Sequence, residues 1–344
     1  MGDLYDSAVQ DPARSTVPRR PNSARRTSHV DMLPLGAETH DGLRLLGAAR
    51  DLLTPAGRPA AVAAQAGVRA VLGPGHVLRE LAVDPDLPPL RSLVGRQVGR
   101  GFRAALDEAA PEQAAAQTPL YLLVDDLPVT ALISGYANLY LRPHPAREVG
   151  LERADICAGW AREGTMMSAI TSTGVMPVPF GPAAPQLDPD DPLGWHDIPA
   201  LAPGAMRRRR LVDVALTAAP AQGGPAAGGV LEVRAMFRDT HVAADGVERV
   251  LHEYALEAAV ELAGGTFTRC AAVPKVLPWP ECPRAAASAA RLVGRPVAET
   301  REFVRRHLRG LSTCTHLNDL LRSLADVVPL ARELGVDLAR PGSR

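Results

Sequence analysis

Lysine is almost missing from this chain: Lys275 is the only one, and arginine carries nearly all the positive charge. Basic and acidic side chains are equal in number, so no global field draws in nucleic acid or an anionic membrane. Aromatic residues make up 4% of the sequence, too few for base-stacking platforms. An uninterrupted apolar run of about 18 residues is also lacking, which argues against a membrane span. Residues 1–30 have no apolar core of a signal peptide, so a cytoplasmic location is expected. The four cysteines (Cys157, Cys270, Cys282, Cys314) are widely spaced, which fits reduced thiols better than a disulfide framework. GxGxxG, P-loop and GxSxG motifs are all missing.

What the chain does have is a hydrophobic content of 46%, enough for one large core or two smaller ones. Its richness in Ala, Pro, Gly and Arg fits a GC-rich bacterial genome. Five short blocks recur in the same order. RRTSHVDM (25–32) faces RRRRLVDV (207–214), and Arg50-Asp51 faces Arg238-Asp239. AVDPDLPP (82–89) faces AVPKVLPW (272–279), LVGRQV (93–98) faces LVGRPV (292–297), and TPLYLLVDDL (118–127) faces STCTHLNDLL (312–321). The ordered set predicts an internal duplication, with the two copies paired within one molecule. The expected division is a disordered basic tail 1–24, a first copy 25–145, a Pro-rich connecting strap 146–205, a second copy 206–335 and a tail 336–344. Trp160 and Trp195 are expected to pack the strap, which also carries the acidic run Asp188, Asp190, Asp191.

The second copy reads as four strands and then helices. Leu211–Leu216 is a short apolar run, and 231–237 alternates with a period of two. Residues 247–262 fit both a strand and a helical stripe, with strand preferred, and 266–277 forms the fourth strand. Helices are expected over 284–293, 297–309 and the stretch holding Leu317, Leu320, Leu321, Leu324, Val327 and Val328, with Ser312 and Thr313 as N-caps. Strands and helices segregated in sequence make an α+β fold, an internally duplicated unit of antiparallel strands followed by helices. The arginine cluster Arg207–Arg210 is read as a solvated strand edge.

Comparing the copies singles out candidate chemistry. Cys314 faces Leu120, His316 faces Leu122 and His241 falls near Leu53, so these side chains belong to the second copy alone. Cys314 and His316 lie at the start of the last helix, where free amides favour a thiolate. Cys282 stands between prolines in WPECP, Asp239 and His241 share a strand face, and His252 lies on the neighbouring hairpin strand. Together Asp239, His241, His252, Cys282, Cys314 and His316 offer mixed N, S and O donors of the kind that hold zinc or iron. Cys157 and His196-Asp197, in the strap, read as structural.

At RDTHVAADGVERVLHEY, LPWPEC and CTHLNDLLRSL the chain resembles a bacterial family catalogued only as domain of unknown function 2889. The resemblance covers most of the chain from about residue 25 and implies no activity. CPRAAASAARLVGRPVAE and CTHLNDLL are also faintly similar to iron–sulfur scaffold proteins of the IscU/NifU and SufE type. That similarity would make Cys282 and Cys314 cluster ligands with His316 nearby. The first hairpin, APAQGGPAAGG, lacks the scaffold's other cysteine, so Asp239 or His241 would have to substitute. Three functions remain open: a metal-binding protein with its site in the second copy, a non-catalytic scaffold or interaction protein with structural thiols, and a cysteine-dependent hydrolase or acyl-transfer enzyme.

Overall fold

A computed structural model describes residues 9–141, 153–187, 190–217 and 229–338. Asp188, most of the APAQGGPAAGG hairpin, the end of the first copy at 145 and the outer parts of both expected tails lie outside the described residues. The fold is α+β. Eight antiparallel strands form one sheet in the order β4-β3-β2-β1-β5-β6-β7-β8. They are β1 (Ser23–Pro34), β2 (Leu43–Thr54), β3 (Ala61–Gly73), β4 (Val77–Asp84), β5 (Met206–Thr217), β6 (Val230–Val242), β7 (Glu248–Glu261) and β8 (Phe267–Val276). The ambiguous stretch 247–262 is thus a strand. Buried Tyr254, Leu256, Ala258 and Val260 turn toward the helices with the two-residue period of a strand.

Helices follow each set of four strands. The first set leads into α1 (Phe102–Ala109), α2 (Pro111–Ala116), α3 (Pro119–Ile133) and α4 (Gly135–Leu139). α5 (Thr165–Thr173) comes from the connecting segment, and the second set leads into α6 (Thr300–His307), α7 (Thr315–Ser323) and α8 (Val327–Glu333). The helix expected at 284–293 is a 3-10 segment, Cys282–Leu292, opened by Pro283. The N-cap of α7 is Cys314; Thr313 instead donates its hydroxyl to Gly310 O, so neither expected cap is used. Pro119–Leu139 is long and apolar enough to cross a membrane by length and composition, although Asp125 and Asp126 interrupt its apolar run. It is 78% buried, as the central helices of a core would be.

One local hydrogen-bond pattern occurs in both sets. Leu78 N donates to Arg96 O and Gly95 N to Leu78 O; likewise Phe267 N donates to Arg295 O and Gly294 N to Phe267 O. Gly95 (φ 89°) and Gly294 (φ 77°) sit in the left-handed region, which explains the glycine in both LVGR blocks. At the central β1–β5 ladder, Arg25 lies opposite Asp213 and Asp31 opposite Arg207, and both pairs are bonded at 2.9 and 2.5 Å. Arg26 pairs with Asp51 across β1–β2, and Arg208 with Asp239 across β5–β6, each at 2.7 Å.

These pairs overturn the reading of Arg207–Arg210 as a solvated edge. β5 is a central strand, and Arg207, Arg208 and Arg210 are buried against Asp31, Asp239 and Asp126. Burying a guanidinium is tolerable only with such partners.

The helices cover one face of the sheet over two apolar clusters, one per set of strands. The later part of the connecting segment lies on the other face, where Leu187 and Trp195 pack on Leu211 and Met236. Residues 9–22, expected as part of a disordered tail, are pinned there too. Gln10 bridges Val276 at the end of β8, Thr16 accepts from the Trp195 indole at 2.9 Å, and Arg19 grips Asp191 at 2.7 Å.

Candidate functional site

Asp239 and His252 stand directly opposite each other on β6 and β7, beside a bulge between Asp239 and Thr240. Both point to the helix-covered face. There α7 brings in His316 from its first turn, so that one ligand atom from each of the three lies within 4.8 Å of the others. The His252 and His316 rings stack with centroids 3.8 Å apart and 14° between planes. His252 Nδ1 and His316 Nε2 are buried and accept or donate no hydrogen bond. His316 as a residue reaches the surface in part, although that nitrogen does not.

Arg208 holds Asp239 through two parallel bonds, Nε to Oδ1 at 2.7 Å and Nη2 to Oδ2 at 2.8 Å, and lies over the Phe237 ring at 5.0 Å. Tyr136, from α4, closes the site: its hydroxyl is 3.5 Å from His252 Nε2 and its ring meets His252 edge-on at 5.1 Å. Burial lowers the pKa of both imidazoles, His316 to about 3 with help from Arg208, and His252 well below its usual value. Both rings are therefore neutral at physiological pH, the form that ligates metal.

The other sequence-predicted residues are placed less centrally. Cys314 Sγ is 3.9 Å from His316 Nδ1, so the thiol adjoins the trio. His241 lies past the bulge, stacked on Tyr140 at 4.4 Å, with its pKa lowered by burial to about 4. Cys282 packs under Tyr254, whose hydroxyl is 3.4 Å from Cys282 O, and against Gly159 of the connecting segment. The expectation of an acidified Cys314 fails. The amides of Leu317 and His316 do favour the thiolate, but burial outweighs them and pushes the thiol up to about 12. Burial also raises Cys282 well above its ordinary value. No sequence signal marked Tyr136, which reaches His252 across 116 positions. Arg208 was visible only as one of four arginines.

Neither a curated protein nor a solved structure gives a significant match, so the comparisons lend nothing to the iron–sulfur scaffold similarity. Residues 208–329, the stretch supplying Asp239, His252, Cys282, Cys314 and His316, match the family model described as "Protein of unknown function (DUF2889)".

Proposed function

We propose that this is a metal-binding protein whose centre is built by Asp239, His252 and His316, with Cys314 as an adjoining thiol donor. One observation carries the reading: two neutral, stacked imidazoles each keep a buried, unpartnered ring nitrogen beside a carboxylate. Buried polar atoms left without partners cost about 1–3 kcal/mol each, and a cation accepting both lone pairs removes that cost. A mixed N/N/O set with a thiol at hand suits zinc or iron(II). Arg208 acts from outside the set by fixing the Asp239 carboxylate, which retains lone pairs for a cation. His241 and Cys282 fall outside this centre and act as packing residues.

A non-catalytic scaffold is the second reading, favoured by the double bond from Arg208 that already satisfies much of Asp239. The cysteine-nucleophile reading loses support from a Cys314 thiol raised to about 12. The matching ladders and ion pairs of the two strand sets support descent from a duplicated unit whose copies pair through β1 and β5, with the first copy walling the site through Tyr136. A cytoplasmic location, with no nucleic-acid or membrane partner, goes with this reading.

Cobalt(II) titration of chelator-treated, full-length protein tests the proposal. Visible d–d bands saturating at one equivalent are expected, with a sulfur charge-transfer band if Cys314 ligates. Loss of the bands in a His252→Ala/His316→Ala variant supports the site. Unchanged bands in that variant, or none in the parent protein, overturn it.

A further inference from the structure

The opposite face of the sheet carries a second set of side chains with buried, unpartnered nitrogens. Strand alternation sends Arg208 and Arg210 to the helices and Arg207 and Arg209 to the connecting segment. Arg207 is bonded to Asp31 and Pro199 O. Arg209 makes no hydrogen bond or ion pair among the described residues, and its Nε is buried without a partner. Arg50, on β2, is similar: one nitrogen donates to Leu193 O, while its Nε is buried and unpartnered. Both line a pocket of about 480 Å³ between the sheet and residues 184–187 and 191–198, together with Trp195, His196, Asp197 and Glu248.

Arg238 borders the same pocket, but each of its three nitrogens is already engaged, by Glu253, Pro185 O and Ala13 O. His196 is likewise used, with one ring nitrogen on Thr27 Oγ1 at 2.8 Å and the other on His29 Nδ1 at 2.7 Å. Asp191 is gripped by Arg19, and Glu248 accepts from Thr240. Burial, with neighbouring arginines, lowers the pKa of both Arg50 and Arg209, although Glu248 and Asp31 partly offset this at Arg209 and Asp191 at Arg50. Cations crowded this way are costly until an anion joins them.

We propose that this pocket binds a small carboxylate-bearing molecule, with its carboxylate on Arg209 and Arg50 and its apolar part against Trp195 and Ile198. A guanidinium edge matches a planar carboxylate through two parallel bonds. The acidic wall of Asp191, Asp197 and Glu248 favours a monoanion over a multiply charged phosphate. The metal reading is not needed for this site, which lies across the sheet from His252.

The test is nuclear magnetic resonance of arginine Nε–Hε groups in the full-length protein, titrated with benzoate, hexanoate and inorganic phosphate. Benzoate or hexanoate is expected to shift the Arg209 signal saturably and to raise the unfolding temperature. Binding should weaken by at least about tenfold in Arg209→Met and in Arg50→Met, while exposed Arg69→Met leaves it unchanged. Because the parent protein's own Arg209 signal reports binding, the outcome does not depend on either variant folding. Phosphate binding there more tightly than the carboxylates, carboxylate binding that survives Arg209→Met, or no shift with any probe would each overturn the proposal.

Discussion

Lowering the pH should destabilise the protein through a histidine pair remote from the candidate metal centre. His29 on β1 and His196 in the connecting segment stack at 4.9 Å and share a hydrogen bond of 2.7 Å. Burial lowers both pKa values to about 3, with Arg207 and Arg209 adding to the effect on His29, and His29 and Arg50 on His196. Both folded values lie below the unfolded value of about 6.5, so protons bind the unfolded chain first. Stability is therefore full above about pH 6.5 and falls as the pH drops toward 3. Linkage gives about 2 kcal/mol lost per imidazole at about pH 5, or up to about 4 for the pair. Urea unfolding at about pH 7 and about pH 5 measures this when the parent is compared with a His29→Gln/His196→Gln variant. The variant should lose about 2–4 kcal/mol less over that interval. Equal losses in the two proteins would refute the reasoning, as would either ring titrating near its ordinary pKa in the folded state.

Arg208→Met leaves the fully buried Asp239 without its two-bonded partner, so it should cost about 3–5 kcal/mol in urea unfolding. A cost below about 1 kcal/mol would show that the carboxylate finds other partners. Gly181→Ala would place a Cβ 1.6 Å from Val250 O, and backbone cannot yield cheaply there. Hydrogen exchange at Val250, whose amide donates to Pro182 O, should accelerate in that variant. All four cysteines are buried, with pKa values raised by burial, so iodoacetamide at neutral pH should label none of them before the protein unfolds. Fast labelling of Cys314 in the native state would revive the nucleophile reading.

How much of this was legible in the sequence depended on the range of the interactions. β6 and β7 could be read because one face of each is buried and the alternation is local. α3 gave no stripe, since 13 of its 15 residues are buried and no polar face sets a period. Arg207, Arg208 and Arg210 looked solvated because their partners Asp31, Asp239 and Asp126 lie 176, 31 and 84 positions away. Comparing residues 206–335 with 25–145 singled out His241, Cys282, Cys314 and His316, whereas Asp239 has a counterpart in Asp51 and His252 was noticed only from its strand position. Which of them meet was fixed by the bulge after Asp239, which separates His241 from His252, and by the register of α7. Neither has a sequence signature. The pull of the helix start on Cys314 was anticipated, but the larger opposing effect of burial was not visible in one dimension.

The central claim is a metal centre at Asp239, His252 and His316, and elemental analysis of the purified, untagged protein tests it most directly. The comparison is with a Cys314→Ser/His316→Ala variant whose folding has been checked by circular dichroism. The account predicts near-stoichiometric zinc or iron in the parent protein and its loss in the variant. Metal absent from the parent even after reconstitution with zinc or iron(II), or retained in full by the variant, would contradict it.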